Sequence, residues 1–329
     1  MRHPEPEEPG SAAYNARLWR RDKMEQIWSA TLPLAQKASQ TRWDEVIASW
    51  QNERAPTQIR FASFDRHVVT ADEHGCVAVH DWQRNVRLKR FHVEGGGALL
   101  RGSGIQPHRI TALHLINEGE SAAVLTGSSD GVIRVHRNYD GGDVELATSF
   151  RALTDLIPST HLDSGLVTDW QQARGFLLAS GNVQSIAVWD AGRDMHAQAI
   201  RTWSESNVTG LASEQVAGHL VVAGFGDGTV KIYDRRASSR DQSQIARSYL
   251  GPHGSWIHTV HLQRGGTREL VSGSLDGTVC TWDMRLDEPI SSFPTHTDGL
   301  LAMAIHDQAP VIATGSTKEV IKGASASEE

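Results

Sequence analysis

The sequence uses little cysteine, few aromatic side chains and no excess of positive charge. It has only two cysteines, Cys76 and Cys280, in 329 residues. A disulfide-stapled fold is excluded by that count, and so sparing a use of thiols fits a reducing compartment. The net charge is −7 and the isoelectric point about 6.1. That balance lacks the basic field of a general nucleic-acid binder. The 16 histidines could shift it in acid, but not at neutral pH. Nowhere is there an apolar run of the roughly 18 residues that a membrane-spanning helix needs. The opening MRHPEPEEPG is acidic and proline-rich, unlike a signal peptide. Together these features describe a soluble cytosolic protein with no transmembrane segment and no nucleic-acid partner. Hydrophobic residues make up 39% of the chain, enough for a large core. Aromatics are only 6%, yet ten of them are tryptophan.

What the chain does have is repetition. Five copies of one unit recur: EHGCVAVHD, SDGVIRVHR, VQSIAVWD, GDGTVKIYD and LDGTVCTWD. Each runs from a small-residue turn to an aromatic or histidine and then to one constant slot. The slots are Asp81, Arg137, Asp190, Asp234 and Asp283, roughly fifty residues apart. A period of this size ending in Trp-Asp marks the blades of a WD-repeat propeller, each a four-stranded sheet. The expected fold class is therefore all-β, with a short helical extension in front. Alternation places Val77 and Val79, Ile186 and Val188, and Val230 and Ile232 on one face of their strands, with His80, Trp189 and Tyr233 on the other. Apolar side chains on both faces suit sheets packed between neighbouring sheets.

Before each turn stands a second apolar strand, such as VLTG (Val124–Gly127) or LVVAG (Leu220–Gly224). A sixth unit begins in register at VIATGSTKEVIK (Val311–Lys322). Its next strand is expected to fail, because Gly323, Ala324 and Ser325 replace the apolar and aromatic positions. The reading is five complete blades and a broken sixth across residues 56–329. Residues 1–55 form an acidic tail and a helical docking extension. Residues 12–30 are predicted helical and end at Pro33, and Thr41–Trp50 form a second helix opening on a threonine cap.

Candidate chemistry is mostly structural. In WD-repeat folds a buried His–Ser/Thr–Trp chain, closed by a turn aspartate, knits a blade together. Here His253, Ser272 and Trp282 can supply it, with Asp81, Asp190, Asp234 and Asp283 as repeated blade positions. The closing aspartate of the fifth blade is expected in the LQRGGTREL turn, which lacks one. His296, Thr314 and Asp307 form a lesser set in the sixth unit. There is no G-x-S-x-G elbow for a hydrolase. GFGDG lacks the lysine and following helix of a phosphate loop, and it aligns with GSSDG and GSLDG as hairpin-turn glycine. His258 and His261 point to opposite faces of one strand, so with His253 they make no metal site. No catalytic residue, cofactor or metal is expected, and the chain is read as a binding platform rather than an enzyme. Its candidate partner contacts are aromatic and arginine residues in blade-edge loops: Trp203, Arg235, Arg236, Trp256 and Arg285.

The strings between the repeats carry a more specific signal. EEPGSAAYNARLWRRDK (Glu7–Lys23), SQTRWDE (Ser39–Glu45), DVELATSFRALTDLIPS (Asp143–Ser159) and GLVTDWQQARGFLLASGNVQSIAVWDA (Gly165–Ala191) resemble the C-terminal region of the Raptor family. That family supplies the regulatory, substrate-recruiting subunit of TOR complex one. The resemblance runs from about Glu5 to Lys322 and implies a seven-bladed propeller, with a protease-like domain lacking activity and a helical solenoid upstream. It further implies protein partners, among them the TOR kinase and other complex subunits, and recruitment through the complex to a lysosome or vacuole surface. Measured against the family pattern, this chain reads as a fragment or a truncated gene model, prone to aggregate when made alone. The competing reading is a generic WD-repeat adaptor, such as a ubiquitin-ligase substrate receptor.

Overall fold

The computed structural model describes residues 10–11, 48–50, 52–93, 108–118, 122–153, 165–238, 241–263, 269–306 and 311–316. It also describes the backbone of Ile321–Ser325 and six isolated residues of the front segment. Those six, Asn15, Leu18, Asp22, Gln26, Ser29 and Pro33, are all helical. Pro33, expected to end the first helix, is itself helical, and the residues next to it lie outside those described. Of the expected second helix only residues 48–50 are described, and they are irregular. The front segment nevertheless touches the sheets. Trp50 stacks on His80 with ring centroids 4.8 Å apart, and Glu53 pairs with Arg90.

From Pro56 onward the chain builds one antiparallel meander after another. Blade one is β1 (Pro56–Phe61), β2 (His67–Asp72), β3 (Cys76–Asp81) and β4 (Val86–His92). Blade two is β5 (Ile110–Ile116), β6 (Ala123–Ser128), β7 (Val132–Arg137) and β8 (Glu145–Arg151). Blade three is β9 (Val167–Gln171), β10 (Phe176–Ser180), β11 (Ser185–Asp190) and β12 (Met195–Arg201). Blade four is β13 (Val208–Ser213), β14 (Leu220–Phe225), β15 (Val230–Asp234) and β16 (Ile245–Tyr249). Blade five is β17 (Ile257–Leu262), β18 (Glu269–Ser274), β19 (Thr278–Asp283) and β20 (Ser291–Pro294). The sixth unit has β21 (Leu300–Ile305), β22 (Val311–Ser316) and β23 (Ile321–Ser325).

In that sixth unit the sequence reading needs correction. The strand expected to fail does form: Gly323 pairs with Ala313, Ala324 with Ile312 and Ser325 with Val311. Ladder pairing uses backbone N–H and C=O groups, so a strand survives the loss of its apolar side chains. What distinguishes this sheet among the described residues is its count of three strands where the others have four.

First strands of successive blades lie against each other, from β1 on β5 round to β17 on β21, so they form the inner ring. A feature invisible in the repeat recurs there. The pairing of first with second strand slips past one residue in five sheets, bulging at Thr57, Thr111, Thr209, His258 and Leu301. At the three threonines the extra residue turns its side chain toward the next blade. The Thr57 hydroxyl donates to the Ile110 carbonyl at 2.6 Å, and that of Thr111 to the Leu166 carbonyl at 2.8 Å.

The core lies between sheets. Val222, Val230 and Ile232 of blade four pack with Ile257, Val260 and Trp282 of blade five. The two sheets approach closely at Gly224, where a Cβ would sit 2.3 Å from the Ile257 methyl. Only glycine lets the two sheets meet there.

Candidate partner-docking surface

Each meander puts its loops at two opposite ends. The turns between first and second, and between third and fourth strands, share one end. The second-to-third turns and the connections between blades share the other. This separates the expected contact residues. Arg235, Arg236 and Arg285 stand at the first end, and Trp203 and Trp256 at the second.

At the first end the repeated aspartates cap turns. Asp81 accepts the backbone N–H groups of Gln83 and Arg84, and Asp190 those of Gly192 and Arg193. Asp234 accepts that of Arg236 and Asp283 that of Arg285. Aspartate suits this slot because a short carboxylate reaches the N–H groups two and three residues ahead. The same carboxylates hold the candidate arginines. Arg236 grips Asp234 through two nitrogens, and Arg285 grips Asp283 likewise. Arg235 is half-buried, donating to the Gly218 carbonyl at 3.0 Å and to Gln198 at 3.1 Å while lying over the Phe176 ring. These contacts tie Arg235 into its own fold.

The second end carries the tryptophans. Trp256 is 41% exposed and lies beside Gly226. Trp203 has φ of +49°, a conformation that bulky residues rarely adopt. Two contacts hold it. Its carbonyl accepts the Lys231 ammonium at 2.8 Å, and the Arg201 guanidinium lies 4.4 Å from its ring centre.

Beneath this end runs the polar chain of blade five. Trp282 Nε1 donates to the Ser272 hydroxyl at 2.8 Å. Ser272 lies 2.7 Å from His253 Nε2, His253 Nδ1 lies 2.9 Å from the Thr278 hydroxyl, and Thr278 donates to Asp276 at 2.6 Å. Indole can only donate and a carboxylate only accept, so every proton in the chain points toward Asp276 and His253 is the neutral Nδ1–H tautomer. Burial pushes the imidazole below its ordinary pKa, in keeping with that form. The closing carboxylate thus comes from the turn between β18 and β19, not from the preceding turn where it was sought. Asp276 could have been found, since it is the aspartate of GSLDG. In the sixth unit His296 Nε2 lies 3.0 Å from the Thr314 hydroxyl, and Asp307 falls outside the described residues.

Around the axis the inner strands bring in Arg60, His114 and Asp169, which the repeat pattern did not suggest. Burial lowers His114 to about 3, with Arg60 pushing the same way, and its ring meets Thr168 at 2.8 Å. Burial raises Asp169 to about 6, against the pull of Ser213, whose hydroxyl it accepts. These are ties between neighbouring blades. Among the described residues no three His, Cys, Asp or Glu side chains converge as metal ligands. Cys76 and Cys280 are buried and unpaired.

A cleft opens beside the packed core. It lies between blades two and three and measures about 1020 Å3. Cross-strand register explains it. In the central row, blade four places Lys231 between Ala223 and Ser248, and blade two places Arg134 between Thr126 and Ser149. Blade one carries Arg90 opposite Ala78. Blade three has Ala187 and Ala199 on the cleft, and no long side chain of the described residues fills the space. Blade five is as small in this row, with Ser272, Cys280 and Ser292, but there His253 lies over Ser272. Arg151 and Arg201 stand at its walls and Trp189 closes one end, donating to the Ala152 carbonyl at 3.1 Å.

Relatives of this sheet ring are known. Over 97% of its length the chain is 39% identical to Target of rapamycin complex 1 subunit KOG1 of Saccharomyces cerevisiae. The crystal structure of Chaetomium thermophilum Raptor matches 86% of the chain with a TM-score of 0.76 at 36% identity. The chain belongs to the Raptor family. Target of rapamycin complex 1 subunit mip1 of Schizosaccharomyces pombe is 36% identical over 98% of the chain. This Raptor-family chain spans only part of its relatives: 21% of the first, 24% of the second and 25% of the crystallised protein. The WD domain, G-beta repeat family matches residues 244–283, the stretch that holds His253, Ser272, Trp282 and Asp283. No helix among the described residues is long and apolar enough to cross a membrane.

Proposed function

We propose that this stretch is a non-catalytic protein-docking platform within a Raptor-type regulatory subunit of TOR complex 1, acting in nutrient-responsive growth signalling. One observation carries the reading: identity of 36–39% extends over nearly the whole chain, irregular strings included, to subunits of that complex. The physical arrangement supports it. A ring of sheets tied blade to blade by Thr57, Thr111, His114 and Asp169 is a rigid frame, and rigid frames present loops at low entropic cost. The buried polar groups described above are occupied in holding blades together, which favours a scaffold over an enzyme.

On this reading the partners are proteins, the TOR kinase and other subunits or regulators of the complex. The protein works in the cytoplasm and reaches a lysosome or vacuole surface with its complex. Residues 1–55 serve as a docking extension on the propeller of residues 56–329, consistent with Trp50 on His80 and Glu53 on Arg90. The test is co-purification with the complete subunit as bait. Recovery of a TOR-type kinase, weakened when residues 56–329 are deleted, supports the reading. Recovery of cullin-associated proteins without the kinase overturns it.

A further inference from the structure

We propose that the cleft between blades two and three receives an acidic side chain from an extended segment of a partner protein. The inference rests on the docking-platform reading and names a site for it. Three observations lead there.

The first is the alanine row. In blade four, Lys231 fills the equivalent space and donates to the Trp203 carbonyl of the preceding connection. In blade two, Arg134 fills it and donates to the Ser128 hydroxyl at 2.8 Å. In blade three the floor is Ala187 with Ala199 opposite, which leaves room for a side chain from outside. The cleft volume, about 1020 Å3, is at the upper end of ligand sites.

The second is charge. Four exposed arginines are matched to acids of this chain, Arg84 to Asp81, Arg193 to Asp190, Arg236 to Asp234 and Arg285 to Asp283. Others, such as Arg66 and Arg137, stand without one among the described residues but do not border this cleft. Arg151 and Arg201, on the cleft walls, have no carboxylate partner among the described residues. Glu205 borders the cleft and pairs with neither. In a chain of net charge −7, two unmatched guanidinium groups beside one hollow favour a carboxylate from a partner, because each can bind it in a two-pronged geometry.

The third is the edge. β12 is the outermost strand of blade three, at the end of its sheet order. Its outer backbone groups offer hydrogen bonds to an extended segment laid alongside, and the amides of Asn182 and Asn207 line the same opening.

The test uses the complete subunit and two fluorescein-labelled probes, hexaglutamate and hexalysine, read by fluorescence anisotropy. Hexaglutamate is expected to bind and hexalysine not. Affinity should fall roughly tenfold or more in R151E/R201E, a charge reversal at exposed residues, and by a similar factor in A187R, which supplies the missing filler. Added salt should weaken binding as well. Equal binding of the two probes, no hexaglutamate binding, or affinity unchanged in R151E/R201E would overturn the proposal. If A187R fails to fold, the exposed double variant carries the result alone. The kinase co-purification reads separately: if the kinase is recovered while hexaglutamate is ignored, only the cleft assignment falls.

Discussion

Blades three and four place the same row of residues across their sheets, and the two rows behave differently. In blade four, Lys231 spans the gap to the preceding connection and holds Trp203 in a left-handed conformation through its carbonyl. In blade three the equivalent residue is Ala187, and with Ala199 opposite it lines a cleft, while Ala179 on its other side is buried in the core. The slip between third and fourth strands and the aspartate-capped outer turns are shared. The difference lies in the side chains of the row: Lys231 reaches the preceding connection, whereas Ala187 shares a core cluster with Leu125 and Ile133 of blade two and leaves space open beside Ala199. The third-strand position of this row varies from blade to blade, and the candidate site appears where its small residues, Ala187 and Ala199, line open space, whereas in blade five His253 lies over the equally small row.

The largest expected effect comes from deleting the same ring in two blades. Trp282 is fully buried and starts the chain through Ser272 and His253 to Asp276. W282A should cost about 3–5 kcal/mol, read as lost hydrogen-exchange protection over β18 and β19 in the complete subunit. W189A removes a half-buried ring whose nitrogen bonds only the Ala152 carbonyl, and about 2 kcal/mol or less is expected. Equal losses would break the contrast between a knitted blade and one that borders a cleft.

Exchanging the fillers sharpens it. K231A should destabilise blade four by about 1–3 kcal/mol, because the Trp203 carbonyl loses a charged donor. A187K should cost less than about 1 kcal/mol, since the space is already there; overpacking of a filled site costs about 1–3 kcal/mol. Thermal unfolding of the two variants, followed by tryptophan fluorescence, separates these outcomes.

A pH series probes the inner ring. Burial holds His114 neutral, with its pKa at about 3 against 6.5 when unfolded. Below pH 6.5 the unfolded chain takes up the proton and the fold does not, so stability falls as the pH drops. Asp169 works the other way. Raised from 3.8 to about 6, it favours the fold at low pH, and that contribution is lost as the pH rises through 6. H114Q should therefore recover about 2 kcal/mol of stability at pH 5 relative to the unsubstituted chain, beyond any difference at pH 8. A constant difference between the two curves would show that His114 does not stay neutral.

The smallest effects belong to the outer turns. R236A removes a two-pronged but exposed pair and should leave stability nearly unchanged. D234A also removes the acceptor of a backbone N–H and should cost about 1 kcal/mol. Urea midpoints of the two variants give the order.

Much of this frame could be read from residue order, for physical reasons. Alternation and turn glycines recur with the blade, so four strands per unit followed, and the repeated aspartates fell at turns because only a short carboxylate reaches the N–H groups there. The bulges at Thr57, Thr111 and Thr209 were hidden, because a bulge exists only relative to its partner strand. Gly323–Ser325 pair although their side chains give no sign of a strand, because pairing uses backbone groups that side-chain identity does not report. Arg235 looked like a surface residue from its loop, yet it folds back over Phe176. The cleft could not be foreseen. Ala179, Ala187 and Ala199 are unremarkable singly, and only cross-strand register aligns them.

The most direct test of the account maps exchange protection in the complete subunit with and without hexaglutamate. The expected result is new protection confined to β12 and the segments around Asn182 and Asn207, present in the unsubstituted chain and absent in A187R. Protection that appears instead around Trp256 or Arg285, or that persists in A187R, would contradict it.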